Sequence, residues 1–246
     1  MNPIKYIMPE QSNKFLIPLA IIIAGGLIFW GILSTQKTPS TVVGVRETDP
    51  TTPPTVVGVR ETDYILGNPD ADLIFINFSD FECSFCKIFH QTMHQIINEY
   101  GKDGQVAWVF RQFPIYGVTA EEKAVSARCA GQLGGNNKFW EMSDKIFQTE
   151  FSQEKSFVTE QLTELAQAIG LEEKDFLACL KDKTTIASVQ QEYQSGIVAG
   201  VLGSSGITGG TPHTIILTKL GKTYPIDGAQ PYSVIKSIID LILKGQ

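Results

Sequence analysis

The sequence predicts an α/β layered domain interrupted by a block of helices and preceded by one transmembrane helix and a linker. Three observations predict it. From Tyr64 onward, β-branched and apolar runs alternate with amphipathic stretches of helical period. About 85 residues of helical signal then separate one strand from the next, in the region 117–203. Ahead of everything, Phe15 to Leu33 runs for 19 residues without a charge.

At ~1.5 Å rise per residue that run reaches about 28 Å, enough to cross a hydrocarbon core. It is longer than a secretory h-region, and Ile32-Leu33-Ser34-Thr35-Gln36 offers no small-residue cleavage pattern. An uncleaved anchor is expected over 15–33, with residues 1–14 cytoplasmic; a cleaved signal peptide is the other reading. Lys5 and Lys14 before the span are balanced by Lys37 and Arg46 after it, so flanking charge barely orients it. The linker, 34–60, holds a tandem repeat. TVVGVRETD occurs at Thr41–Asp49 and again at Thr55–Asp63, interrupted by Pro50, Pro53 and Pro54. Two copies of a 14-residue period cannot stack into a solenoid, so a duplicated spacer is expected. The second copy is a candidate for the first edge strand.

The domain over 61–246 then reads in order. Leu73–Phe78 is a buried strand, Ser84–Tyr100 an amphipathic helix, and Gln105–Phe113 a valine- and aromatic-rich strand that Pro114 ends. Thr119 with Glu122 forms a capping-box signature opening a helix through Leu133. Further helices are expected near 137–150, 159–169, 173–181 and 185–201, punctuated by Gly134-Gly135 and Gly170. Strands return at His213–Thr218 and Lys222–Tyr224, and a last helix spans Tyr232–Leu243. The net charge of −6 comes with no basic patch, which excludes a nucleic-acid partner.

Cys83-Ser84-Phe85-Cys86 lies where strand hands over to helix. The positive end of a helix favours the thiolate that carries out disulfide chemistry. Phe89, Met93, Ile96 and Tyr100 extend a stripe that begins at Cys86. Cys86 is therefore expected to point inward and Cys83 to stand exposed at the mouth, an attacking sulfur with a shielded one behind it. A zinc knuckle would need a second close pair, and Cys129 and Cys179 are 50 residues apart, so no metal site is expected. His90 and His94 follow Cys86 at i+4 and i+8 but drift by ~40° per step. They are read as solvated polar-face histidines, with a soft-metal site shared with Cys86 as the other reading.

This order resembles the thioredoxin fold with an inserted all-helical domain, and looks like the DsbA family, most closely its membrane-anchored, BdbD-like branch. The stretches that carry the likeness are Leu66-Gly67-Asn68-Pro69-Asp70-Ala71, then Phe78 through Lys87, then Phe139-Trp140-Glu141-Met142, and finally Gly206 through Pro212. The resemblance implies an extracytoplasmic thiol:disulfide oxidoreductase without a cofactor. It implies catalytic Cys83 and Cys86, and an active-site loop of Ser84, Phe85, Thr211 and Pro212, with the Thr211–Pro212 bond cis and facing the sulfurs. Clients would be unfolded secreted or surface proteins, and a quinone-linked membrane reoxidase, DsbB-like or VKOR-like, would restore the disulfide. A monomer anchored by a single pass in the cell membrane is expected. A reductase or isomerase of the same fold, or a copper-binding thioredoxin-like module, are the alternatives.

Three departures from the family matter. Ser84 stands where relatives have proline, no histidine lies between the cysteines, and Asn77 occupies the place of a buried acid. His213, after the cis-proline candidate, is a candidate for tuning Cys83; a strand histidine facing solvent is the other reading. Cys129 and Cys179 are expected to form a structural disulfide, with two buried free thiols as the alternative.

Overall fold

A computed structural model describes residues 58–151, 155–203 and 209–245. The expected cytoplasmic segment, the span at 15–33 and the repeat copy Thr41–Asp49 lie outside the described residues. Among the described residues no helix is long and apolar enough to cross a membrane.

The elements are β1 (Tyr64–Leu66), β2 (Leu73–Ser79), α1 (Ser84–Ile96), β3 (Val106–Gln112), α2 (Val118–Gly134), α3 (Asn136–Gln148), α4 (Lys155–Ala168), α5 (Glu173–Leu180), α6 (Lys183–Val198), β4 (His213–Thr218), β5 (Thr223–Asp227) and α7 (Tyr232–Lys244). The strands form one mixed sheet in the order β1-β3-β2-β4-β5. β2 runs parallel to β3, joined through α1, and the other pairs are antiparallel. The helical block α2–α6 interrupts the chain between β3 and β4, the two strands that flank β2.

β2 is apolar along almost its whole length because both faces of the sheet are covered. Leu73 and Phe75 face one side, where they join Trp108, Phe110 and the buried stripe Phe89, Met93 and Ile96 of α1. Ile76 and Phe78 face the other, with Val109, Phe113 and Ile215. The first cluster runs on without a break into the helical block through Val158, Leu162, Phe176 and Val189, so the insertion shares the core of the sheet. Each such side chain removed from water contributes about 1.5–3 kcal/mol. On the second face α6 approaches so closely that a Cβ at Gly196 would stand 2.4 Å from Phe113. Only glycine fits there. Gly135, at φ +80°, both ends α2 and starts α3.

Three expectations are corrected. The strand β1 begins at Tyr64, one residue after the second repeat copy ends, so the described part of that copy, 58–63, is loop. Instead of joining the sheet edge, its Asp63 pairs with the buried guanidinium of Arg111 at 2.7 Å. The helix expected to start at a Thr119 cap starts at Val118 behind Gly117, whose φ of +90° suits the turn, and Thr119 makes no capping bond. Glu122 instead accepts a hydrogen bond from Thr159 of α4. Finally, α1 does not stay α-helical to Tyr100; its last turn, Ile97–Gly101, widens to a π-helix that buries Tyr100.

Candidate functional site

β2 ends at Ser79, and four residues later Cys83 occupies the N-cap of α1 with extended backbone angles. A tight loop spans the gap. Asp80 is 1% exposed, and its carboxylate accepts hydrogen bonds from the amides of Glu82 (2.7 Å), Ile115 (2.6 Å) and Tyr116 (3.0 Å). One buried acid thus ties the cysteine loop to the segment leaving β3. Burial pushes the Asp80 carboxyl up from its ordinary value, and the three amide bonds oppose the rise. Glu82 pairs with Lys123 of α2 at 2.8 Å.

Cys83 and Cys86 are unbonded thiols, and both are buried. Cys86 is 1% exposed, as its place on the apolar stripe predicts. The expectation that Cys83 stands exposed is corrected: it is 4% exposed. Its Sγ lies 3.3 Å from the carbonyl oxygen of Thr211, and Tyr116, itself 56% exposed, lies close enough to interact with it. The loop carrying Thr211 thus closes over a sulfur that helix position alone would leave open. The Thr211–Pro212 bond is cis.

The two thiols are electrostatically unequal. Cys83 is lowered to about 6, chiefly because Cys86 donates a hydrogen bond to its sulfur; burial works against this. The Thr211 side-chain hydroxyl, rather than its carbonyl, and the amides of Cys86 and Phe85 at the start of α1 lower it further, although no full capping bond forms. Cys86 is pushed well above its ordinary range, first by burial and then by the negative charge on Cys83. The amide of Asp80 points at its Sγ from 3.5 Å. Such a pair holds one nucleophile ready and keeps its partner protonated.

The remaining sequence candidates divide. Ser84 and Phe85 are exposed, Phe85 at 62%, and Ile88, Tyr116 and Val118 are exposed as well. Phe85 and Ile88 lie on α1, Tyr116 on the segment that Asp80 holds against the cysteine loop, and Val118 at the start of α2. Asn77 is buried and donates to Thr214 Oγ1 at 3.0 Å across the sheet. His213 departs from its solvent-facing reading. It is buried rather than facing solvent, and its Nδ1 pairs with Asp227 of β5 at 2.7 Å. By strand alternation it lies with Ile215 on the sheet face opposite α1. Cys129 of α2 and Cys179 of α5 are joined by a disulfide, S–S 2.07 Å, that closes a separation of 50 residues.

The reading of His90 and His94 as solvated is likewise corrected. His90 is 5% exposed and packs between Trp108 and Phe147. Both histidines turn toward Asp144 of α3 rather than toward Cys86. Burial lowers His90, while its bond and that of His94 hold Asp144 below the ordinary carboxylate range despite partial burial.

A thioredoxin family model, described as "Thioredoxin", matches residues 59–204. The chain belongs to the thioredoxin family. Within that family its architecture is that of the DsbA-like disulfide oxidoreductases. A solved structure of the thiol-disulfide exchange protein alpha-DsbA2 from Wolbachia pipientis superposes with a TM-score of 0.59 at 25% identity, covering 74% of this chain and 88% of that one. A probable disulfide bond formation protein D from Bacillus anthracis is 23% identical over 159 residues, 62% of this chain and 66% of that protein. An 85-residue stretch is 32% identical to a Na(+)/H(+) antiporter NhaA 1 from Mycolicibacterium gilvum, covering 34% of this chain and 13% of the antiporter. The chain therefore spans between about an eighth and two thirds of these curated relatives.

Sequence reasoning about this thioredoxin-family domain missed Asp80, Tyr116 and Asp144. Asp80 had a weak signal, an acid between Phe78 and Phe81 three residues before Cys83, but Glu82 beside it offered the same charge. Tyr116 and Asp144 come to the site from other elements and carry no local signature.

Proposed function

We propose that the chain is a thiol:disulfide oxidoreductase that introduces disulfides into secreted or surface proteins from the outer side of a membrane, anchored by residues 15–33. The observation that carries this reading is the inequality of the two thiols: Cys83 acidified to about 6 beside a hindered, protonated Cys86. A client thiolate attacks Sγ of Cys83 in the Cys83–Cys86 disulfide, and Cys86 leaves as the thiolate and takes up a proton. A second client thiolate then attacks the client sulfur of the mixed disulfide, expelling Cys83 as a thiolate. The client loses two electrons and two protons to form one disulfide, and the domain ends as a dithiol. A low thiol pKa makes Cys83 a good leaving group and stabilises the reduced form, which is the character of an oxidant. A quinone-linked membrane partner, the electron acceptor, returns the domain to its disulfide. The exposed apolar side chains Phe85, Ile88, Tyr116 and Val118 suit clients that are not yet folded. The match to the antiporter covers too little of that protein to carry transport to this chain.

The test is the redox equilibrium of Cys83–Cys86 against glutathione, coupled to refolding of a reduced secreted protein. A thiol pKa of about 6 lies between those of thioredoxin, ≈7, and DsbA, ≈3.5. The potential is accordingly expected between about −270 and −120 mV. Catalysed disulfide formation at such a potential supports the oxidase. A potential at or below thioredoxin's, with reduction of client disulfides, would establish the reductase reading instead.

A further inference from the structure

One turn beyond Cys86, three side chains that the thiol chemistry does not use converge. His90 and His94 stand four residues apart on α1, and Asp144 reaches them from α3. Nε2 of His90 lies 2.6 Å and Nε2 of His94 lies 2.8 Å from the same oxygen of Asp144. The two nitrogens are 3.1 Å apart. Among the described residues these are the three side chains whose ligand atoms cluster this way, all within 4.8 Å of one another.

Protons cannot satisfy all three edges of that triangle. A neutral imidazole has one N–H, and an imidazolium has one on each nitrogen. With both Nε2 atoms protonated, both donate to Asp144, and two donors then confront each other at 3.1 Å. With one Nε2 unprotonated, its lone pair faces a carboxylate oxygen at hydrogen-bond distance with no hydrogen between. The buried Nδ1 of His90 has no partner in any of these arrangements, so it does not choose among them. A single cation accepts all three lone pairs at once.

We propose that His90, His94 and Asp144 bind one divalent cation of the borderline class, zinc in the first instance, and that the ion braces the active-site helix α1 against α3 of the inserted block. The donor set selects the class. Two imidazoles and one carboxylate suit zinc and its neighbours, whereas calcium and magnesium favour all-oxygen sets and copper(I) favours sulfur. Zinc ligands lie ~2.0–2.2 Å from the ion. With edges of 2.6, 2.8 and 3.1 Å, the triangle places such an ion off its plane, on one side. The inner ligand is fixed from behind, with His90 wedged 4.6 Å from the Phe147 ring and 5.0 Å from Trp108. The outer ligands are a third exposed, His94 at 33% and Asp144 at 34%, so an ion can enter and water can complete its shell. Cys86 is not a ligand, which separates this site from any copper site on the thiols. The proposal stands whether or not the domain is an oxidase.

The test uses the full chain in detergent micelles with Cys83–Cys86 oxidised, so that the thiols cannot ligate. Zinc is titrated calorimetrically and cobalt(II) by visible absorption. One ion per chain is expected at low micromolar concentration, with a cobalt spectrum free of sulfur-to-metal charge transfer and a rise in melting temperature that chelator reverses. His94→Ala and Asp144→Asn should each weaken zinc by about 100-fold or more, since even outer-shell losses cost 10–100-fold. Three results overturn the proposal: no binding by the oxidised chain, binding that requires free thiols, or affinity unchanged in both variants. The cobalt spectrum of the unaltered chain decides the matter even if a variant fails to fold.

Discussion

Replacing Cys86 by alanine isolates the largest cause of acidity at Cys83. The sulfur of Cys83 is held at about 6 mainly by the hydrogen bond from Cys86, with smaller help from Thr211 and the first amides of α1. A hydrogen bond to a charged group contributes roughly 1.5–3 kcal/mol, and one pKa unit corresponds to about 1.36 kcal/mol. Loss of the donor should therefore raise Cys83 by roughly one to two units, to a midpoint near 7–8. At pH 7 the thiolate fraction would fall from about nine-tenths to between a half and a tenth. Cys86→Ser keeps a donor at nearly the same place and should stay closer to the starting value. The assay is the pH dependence of the alkylation rate with iodoacetamide on the reduced chain, checked against thiolate ultraviolet absorbance. If Cys86→Ala titrates with the unaltered dithiol, or if that dithiol reacts with the midpoint of free cysteine, the reasoning about this site fails.

Other measurements follow from the same geometry. Because folding depresses the Cys83 thiol, the unfolded dithiol binds an extra proton between the folded value of about 6 and the unfolded ~8.5. The dithiol form should thus gain stability as pH rises through that window and lose it as pH falls, and urea denaturation of Cys83→Ser should lack the slope. Asp63→Ala removes the carboxylate that pairs with the buried Arg111 guanidinium, which keeps its bond to the Gly58 carbonyl, and should destabilise the domain by about 3 kcal/mol in the same assay. Removing the Cys129–Cys179 bridge by paired alanine substitution should cost about 4 kcal/mol on the loop-closure model while leaving the Cys83 alkylation profile in place. Asp80→Ala leaves three amides without their acceptor and should lower stability by about 2 kcal/mol or more, with slower exchange between Cys83 and a client peptide disulfide.

What the sequence made legible was whatever depends on near neighbours in the chain. The run Leu73–Phe78 is a strand because Ile74, Phe75, Ile76 and Phe78 are β-branched or aromatic and both its faces are covered. The stripe from Cys86 through Tyr100 is buried because its spacing puts those residues on one helix flank. Gly135 could be read as a breaker because its conformation demands glycine. What stayed hidden depends on partners far along the chain. Cys83 looked exposed because Thr211, which covers it, is 128 residues away. His90 looked solvated because helical drift says nothing of Asp144, which arrives from another helix 54 residues on. Thr119 looked like a cap because it fits the motif, but the positive φ available to Gly117 started the helix two residues earlier. His213 was placed correctly beside Pro212 in sequence, but its burial and its pairing with Asp227, 14 residues on, depend on β5.

The bridge between α2 and α5 carries a consequence for how the molecule matures. Cys129 is wholly enclosed once the helices have packed, so no outside oxidant can reach it afterwards. A nascent chain presents four thiols, which can pair in three ways. The bond in the insertion has to be made while that region is still open, before Cys83 or Cys86 can compete for either partner. Order of synthesis works against this, since Cys83 emerges first. Closing that bridge therefore calls for an oxidant that meets the chain before the insertion has packed.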